Sequence, residues 1–185
     1  MLITPEYRKL NADLHEANPA YGTTAKKYVR QVYDLAQSMN AETVLDYGAG
    51  KGLLREGIAN IRKGLPGDMV AEYDPCIPEK NVRPAPADLV VSIDVMEHIE
   101  PDCLDDVLQD ICRLANKAVF LTIATRPAVK TLADGRNAHL IVESVDWWLP
   151  RLMRFFSPRL LHVGEGEIVF LGLPKAVPAE QEQAA

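Results

Sequence analysis

Apolar positions change their period several times along this chain, and each change marks an element. Thr4-Pro5-Glu6 is a helix start, with a hydroxyl cap, proline at the first helical position and an acid behind it. Tyr7, Leu10 and Leu14 continue at helical spacing until Asn18-Pro19 breaks it. After Tyr21-Gly22-Thr23-Thr24 a second helix carries Tyr28, Val32, Leu35, Ala36 and Met39 on one side, with Lys26, Lys27, Arg30 and Gln31 turned mainly outward. Val44-Leu45 is a short apolar run that reads as a buried strand, and Leu53 to Ile61 has the spacing of a short helix. Asp68 to Tyr73 predicts a second strand. Asp88 to Val95 is nearly continuous in apolar residues, as a strand covered on both faces should be, and Ala118 to Ile123 is another buried strand. Helices are expected over Pro101 to Leu114, with Asp102, Asp105 and Asp106 at its positive end, and over Val145 to Phe156, capped by Ser144 and kinked or restarted at Pro150. Trp147 and Trp148 occupy adjacent positions there, so one should be core and the other partly exposed. Arg159 to Val163 and Glu167 to Leu173, joined by Gly164-Glu165-Gly166, predict a hairpin. Residues 174–185 are polar and alanine-rich, a composition expected to be disordered.

The chemistry concentrates after Leu45, where the chain reads T-V-L-D-Y-G-A-G-K-G. A strand ending in Asp46, glycines at 48, 50 and 52, and a helix start predict a tight turn with unpaired N–H groups, at the strand end where open α/β sheets hold ligands. A dinucleotide fingerprint needs its last glycine at Leu53, and a P-loop needs Ser or Thr after Lys51; neither is present. What remains, acid-x-G-x-G-x-G, resembles the first motif of class I S-adenosylmethionine-dependent methyltransferases. Asp74-Pro75 lies 22 positions past Gly52 and is similar to that family's second motif. A carboxylate at that strand end can accept hydrogen bonds from both ribose hydroxyls of an adenosine. The phrase D-L-V-V-S-I-D-V-M-E-H-I resembles the fourth-strand motif of the ubiquinone-biosynthesis-like members. The resemblance implies a doubly wound, mostly parallel α/β sheet with a C-terminal antiparallel hairpin, a Rossmann-like single domain over residues 1–173, and residues 1–40 forming a helical lid that includes His15 and Tyr21. One departure stands out. Only 13 residues, with Pro78, Pro84 and Pro86 among them, separate Asp74 from Asp88, too few for the usual crossover helix and third strand. That unit is expected to be trimmed, leaving the second strand as an edge for a loop or a homodimer partner to cover.

Composition narrows the partners. Of the 185 residues 48% are hydrophobic, enough for one core, and the net charge of −6 disfavours a broad nucleic-acid-binding face. The three cysteines lack C-x-x-C spacing, which predicts buried free thiols in a reducing, cytoplasmic setting. No run reaches membrane-spanning length and no secretory leader is recognisable. Between Arg126 and Val142 a polar loop gathers Arg126, Lys130, Arg136, Asn137 and His139 around Asp134-Gly135. Guanidinium groups suit carboxylate or phosphate, so Arg126, Arg136 and Asn137 are candidates for holding a small, anionic acceptor. The resemblance implies S-adenosylmethionine as cofactor, with Asp46, Tyr47, Gly48, Ala49, Gly50, Asp74, Pro75 and Asp94 around it. His139 and then His98 are the candidate bases. No His, Cys or acid cluster has metal-ligand spacing along the chain, so no metal is expected. Two rivals stay open: an NAD(P)-dependent oxidoreductase on the same sheet, and a non-catalytic subunit that keeps the cofactor pocket.

Overall fold

The computed structural model describes residues 1–61 and 69–176. Six strands form one sheet in the order β2-β1-β3-β4-β6-β5, with β1 at Val44–Tyr47, β2 at Val70–Tyr73, β3 at Ala87–Ile93, β4 at Ala115–Ala124, β5 at Phe156–Gly164 and β6 at Glu167–Pro174. The first four pair in parallel; β6 runs antiparallel to β4 and to β5. This is the doubly wound sheet with a terminal hairpin. Among the described residues five α-helices cover it: α1 (Pro5–Ala17), α2 (Val29–Ser38), α3 (Leu53–Ile61), α4 (Leu104–Leu114) and α5 (Val145–Phe155).

Strand alternation builds two cores. Leu45, Val90 and Leu121 pack with Leu108 and Ile111 of α4 and with Trp148 and Leu152 of α5. Their chain neighbours Val44, Leu89 and Phe120 pack on the opposite face with Val32 of α2 and with Leu54 and Ile58 of α3. Successive side chains of a strand point to opposite faces, so a nearly continuous apolar run is what a doubly covered strand requires.

The trimmed unit is real. Between β2 and β3 the chain makes only a one-turn 3-10 helix at Pro78–Lys80, and β2 is therefore a sheet edge. The edge is four residues long and carries Glu72 in ion pairs with Lys80 and Arg55, features that discourage further strand pairing. Thr4 caps α1 through its side chain to the Tyr7 amide, whereas the Ser144 side chain caps nothing. Helix α5 continues through Pro150, and Trp148 is fully buried while Trp147 is partly so. Asp68 and most of the alanine-rich tail, from residue 177 on, lie outside the described residues; Pro174 closes β6.

Candidate active site

A cavity of about 340 Å³ opens at the carboxyl ends of β1, β2 and β3, within the range of about 300–1,000 Å³ typical of ligand pockets. Tyr47, Gly48, Ala49 and Gly50 form one wall, Asp74 and Pro75 a second, and Asp94 and His98 a third. The first loop after β4 contributes Arg126, Lys130 and His139. Helix α1 and the turn behind it close the other side with Tyr7, Asn11, His15 and Tyr21. These α1 residues recur every four positions, a single helical face whose polar members were the available signal for them.

The glycine turn differs from expectation in one respect: its amides are not free. Gly48 and Ala49 donate to the Tyr73 carbonyl, Gly50 to Asp74 Oδ2, Lys51 to the Gly22 carbonyl and Gly52 to the Ala49 carbonyl. The left-handed turn also serves internal packing. A Cβ on Gly48 would lie 2.4 Å from Val95 Cγ2, and one on Gly50 would lie 2.8 Å from the Gly22 carbonyl. The glycines thus let Val95 and the N-terminal segment approach, and the turn presents backbone rather than open donors to the cavity.

Asp74 is buried at the end of β2, where Oδ1 accepts from the Cys76 amide and Oδ2 from Gly50. Each carboxylate oxygen has two acceptor sites, so one remains on each. Asp94 takes a left-handed φ of 52°, and its Oδ1 accepts from the Thr122 hydroxyl at 3.0 Å. Asp46 does not line the cavity. Strand alternation puts it on the side of α2 and α3, beneath the turn, where burial and then the charge of Glu72 push its carboxyl up to about 7.

The polar loop is organised by Asn137 rather than lined by it. Asn137 exchanges hydrogen bonds with the Ala128 backbone and accepts from the His139 amide, which folds the loop back on itself. Arg136 also lies outside the lining; its guanidinium pairs with Asp134 at 2.7 Å. Arg126 and Lys130 are the loop's cations at the cavity.

His98 and His139 stand edge to face, with ring centres 4.7 Å apart. Nδ1 of His98 meets the Ala138 carbonyl at 2.7 Å, and Nδ1 of His139 meets the Arg126 carbonyl at 2.6 Å. A carbonyl accepts only, so each Nδ1 carries the proton and each Nε2 keeps its lone pair. Burial, then the neighbouring His139, pushes His98 down to about 3. Burial also lowers His139, and both rings are neutral near pH 7. Tyr21 joins them from the lid, its hydroxyl 3.2 Å from His98 Nδ1. His15 is lowered as well, by burial that the charge of Asp74 partly offsets, and its Nδ1 has no hydrogen-bond partner among the described residues. Glu97 lies behind the two histidines, fully buried. Thus residues 41 positions apart along the chain, where spacing gave no metal-ligand signal, form a cluster: one ligand-type atom from each of Glu97, His98 and His139 lies within 4.8 Å of the others.

No protein-family model matches the chain, and no curated protein does. Solved structures do. A Burkholderia thailandensis 1,6-didemethyltoxoflavin-N1-methyltransferase with bound 1,6-didemethyltoxoflavin and S-adenosylhomocysteine is 18% identical, with 95% of this chain and 92% of that one covered and a TM-score of 0.59. The mitomycin 7-O-methyltransferase matches with TM-score 0.60 at 16% identity, over 88% of this chain and 60% of that one. The magnesium protoporphyrin IX methyltransferase of Synechocystis PCC 6803, with bound S-adenosylhomocysteine, matches with TM-score 0.57 at 14% identity, over 81% and 83% of the two chains.

Proposed function

From a chain with the class I methyltransferase fold, we propose S-adenosylmethionine-dependent methyl transfer to a small, anionic acceptor. The observation that carries this reading is the cavity beside Asp74, bounded by a glycine turn whose amides are already occupied. A pyrophosphate needs free N–H donors at such a turn, and these have partners inside the protein. An adenosine needs acceptors for its two ribose hydroxyls, and Asp74 keeps one site on each oxygen. The occupied turn therefore speaks against a dinucleotide and fits a nucleoside without phosphates.

When bound, S-adenosylmethionine supplies an electrophilic methyl group on a sulfonium, so the protein's part is alignment and exclusion of water. Asp74 and Pro75 hold the ribose side, Tyr47 to Gly50 back the donor, and Tyr21 with His15 closes over it from the lid. Arg126 and Lys130 draw an acceptor carboxylate or phosphate to the loop side. His98 and His139 present neutral Nε2 lone pairs at that same end, atoms that take either a proton or a cation.

Calorimetric titration with S-adenosylhomocysteine tests the reading. Stoichiometric binding is expected, with Asp74→Asn weakening it by about tenfold or more, the cost of hydrogen bonds to a charged group. Asp13→Asn, on the exposed face of α1, should leave affinity unchanged. NADH binding in preference to S-adenosylhomocysteine, or an affinity indifferent to Asp74, would overturn the assignment. Tight cofactor binding without methyl transfer across a broad acceptor screen would make the chain a partner subunit.

A further inference from the structure

We propose that Glu97, His98 and His139 form a binding site for a divalent transition-metal ion at the acceptor end of the cavity.

Three features build the site. The first is an unpartnered carboxylate oxygen. Glu97 is 0% exposed; Oε1 accepts from the Ala124 amide at 3.0 Å, and Oε2 is buried with no hydrogen-bond partner among the described residues. An acceptor left alone in the interior is costly unless a proton or a cation satisfies it. The second is the pair of histidines, each fixed by an Nδ1–H bond to a backbone carbonyl, which leaves Nε2 for ligation. Metal-binding imidazoles are held in this way, since the outer hydrogen bond sets both the tautomer and the ring orientation. The third is the bracing of the loop that brings His139 in. The His98 ring holds the Ala138 carbonyl on one side of His139, and the Ile141 amide donates to the Glu97 carbonyl at 3.0 Å on the other. His139 is thereby pinned against the Glu97-His98 turn.

Nitrogen and oxygen donors without thiolate suit zinc, manganese or cobalt, and three protein ligands leave open positions for another group. The charge of Asp94 acts on both Glu97 and His139 and favours a cation there, and Glu167 adds to the same field at Glu97. Arg126 is the opposing cation beside His139. Burial and the charge of Asp94 hold the Glu97 carboxyl well above its ordinary range, so metal and proton compete for it.

The role of the ion, though not the site itself, rests on the methyl-transfer reading. An acceptor hydroxyl in an open position loses its proton to water more readily because the ion stabilises the resulting oxyanion. The oxygen lone pair then forms the new O–C bond as the carbon–sulfur bond breaks, its electron pair staying on sulfur as the thioether. His98 and His139 act as ligands in this scheme, which removes the need for a protein base.

The test uses the full chain, stripped with a chelator and then titrated calorimetrically with zinc and with manganese. Cobalt is added in parallel and followed by visible absorption. One ion per chain is expected, with a cobalt spectrum free of thiolate charge-transfer bands. His139→Ala and Glu97→Gln should each weaken binding by about tenfold or more. The metal-free unfolding transition of each variant is measured alongside, and a loss of metal affinity in a variant that keeps a single cooperative transition reads as lost ligation rather than lost folding. No binding at micromolar metal, or binding that both variants leave intact, would overturn the site. A chain that binds metal but fails to bind S-adenosylhomocysteine overturns the methyl-transfer reading alone; a chain that binds S-adenosylhomocysteine but fails to bind metal overturns this inference alone.

Discussion

Asp46 shows how a single buried residue sets a pH dependence. Its folded-state carboxyl, raised to about 7 from an ordinary 3.8, keeps a proton that the unfolded chain has already lost across that interval. Its contribution is therefore complete below about 3.8 and lost as pH rises through about 7. His98 works the other way. With a folded value near 3 against 6.5, its contribution is present above 6.5 and lost as pH falls toward 3. Asp46→Asn removes only the first. Relative to wild type, the variant should gain stability, on the order of a few kcal/mol, between about pH 5 and about pH 8. Urea unfolding at both values measures this, and a difference independent of pH would refute the buried-acid account. The loop arginines separate at the same scale. Arg126→Ala should raise the Michaelis constant of whichever acceptor a product screen returns by about tenfold, as loss of a charge-assisted bond predicts. Arg136→Ala, breaking a surface pair with Asp134 and a cation–π contact to the Tyr7 ring, should leave that constant alone and cost about 1 kcal/mol of stability. Equal effects of the two would remove Arg126 from the acceptor pocket.

Among the elements, the lid depends on one close approach. Gly22 has φ of 71°, and a Cβ there would lie 2.8 Å from His15 Cε1 and 3.2 Å from Gly50 Cα. Gly22→Ala should push α1 off the turn and weaken S-adenosylhomocysteine by several-fold. Gly135, with φ of 88° and open space around it, supplies the control. Gly135→Ala carries the left-handed strain, about 1–2 kcal/mol, without the clash, and should leave ligand affinity unchanged. Matching losses in both variants would show that strain rather than lid displacement is responsible. The elements themselves were legible because periodicity is local. The spacing that begins at Leu53 marks the start of α3, and the prolines after Asp74 announce the missing crossover. The contacts between elements were hidden. The glycine turn's amides find acceptors at Tyr73, Asp74 and Gly22, and His139 reaches Glu97 and His98 only because Asn137 folds the loop back. No pattern within one element encodes a partner on another. The turn of Asp46 away from the cavity, into the α2 and α3 side, follows from the pleat, given that Val44 and Leu45 serve opposite faces.

The whole molecule is a sheet shared by two helical layers, and that sharing governs how it unfolds. Val44 and Leu45, Leu89 and Val90, Phe120 and Leu121 are chain neighbours that belong to different cores. Neither layer can come away without stripping one face of β1, β3 and β4, so the two should melt together. The chain reports on this unaided, because its two tryptophans both lie on α5. Fluorescence therefore follows the layer of α4 and α5, whereas far-UV circular dichroism follows every helix and strand. Leu108→Ala strikes the tryptophan layer at a fully buried site and should cost about 2–5 kcal/mol. Val32→Ala strikes the opposite layer, also fully buried, and should cost about 2 kcal/mol. In both variants the denaturation midpoints by fluorescence and by dichroism should fall together and stay coincident. If Val32→Ala lowers the dichroism midpoint while fluorescence holds at its wild-type value, α2 and α3 melt as a separate unit. The cavity, whose walls draw on both layers and on α1, would then lose one side before the rest of the protein unfolds.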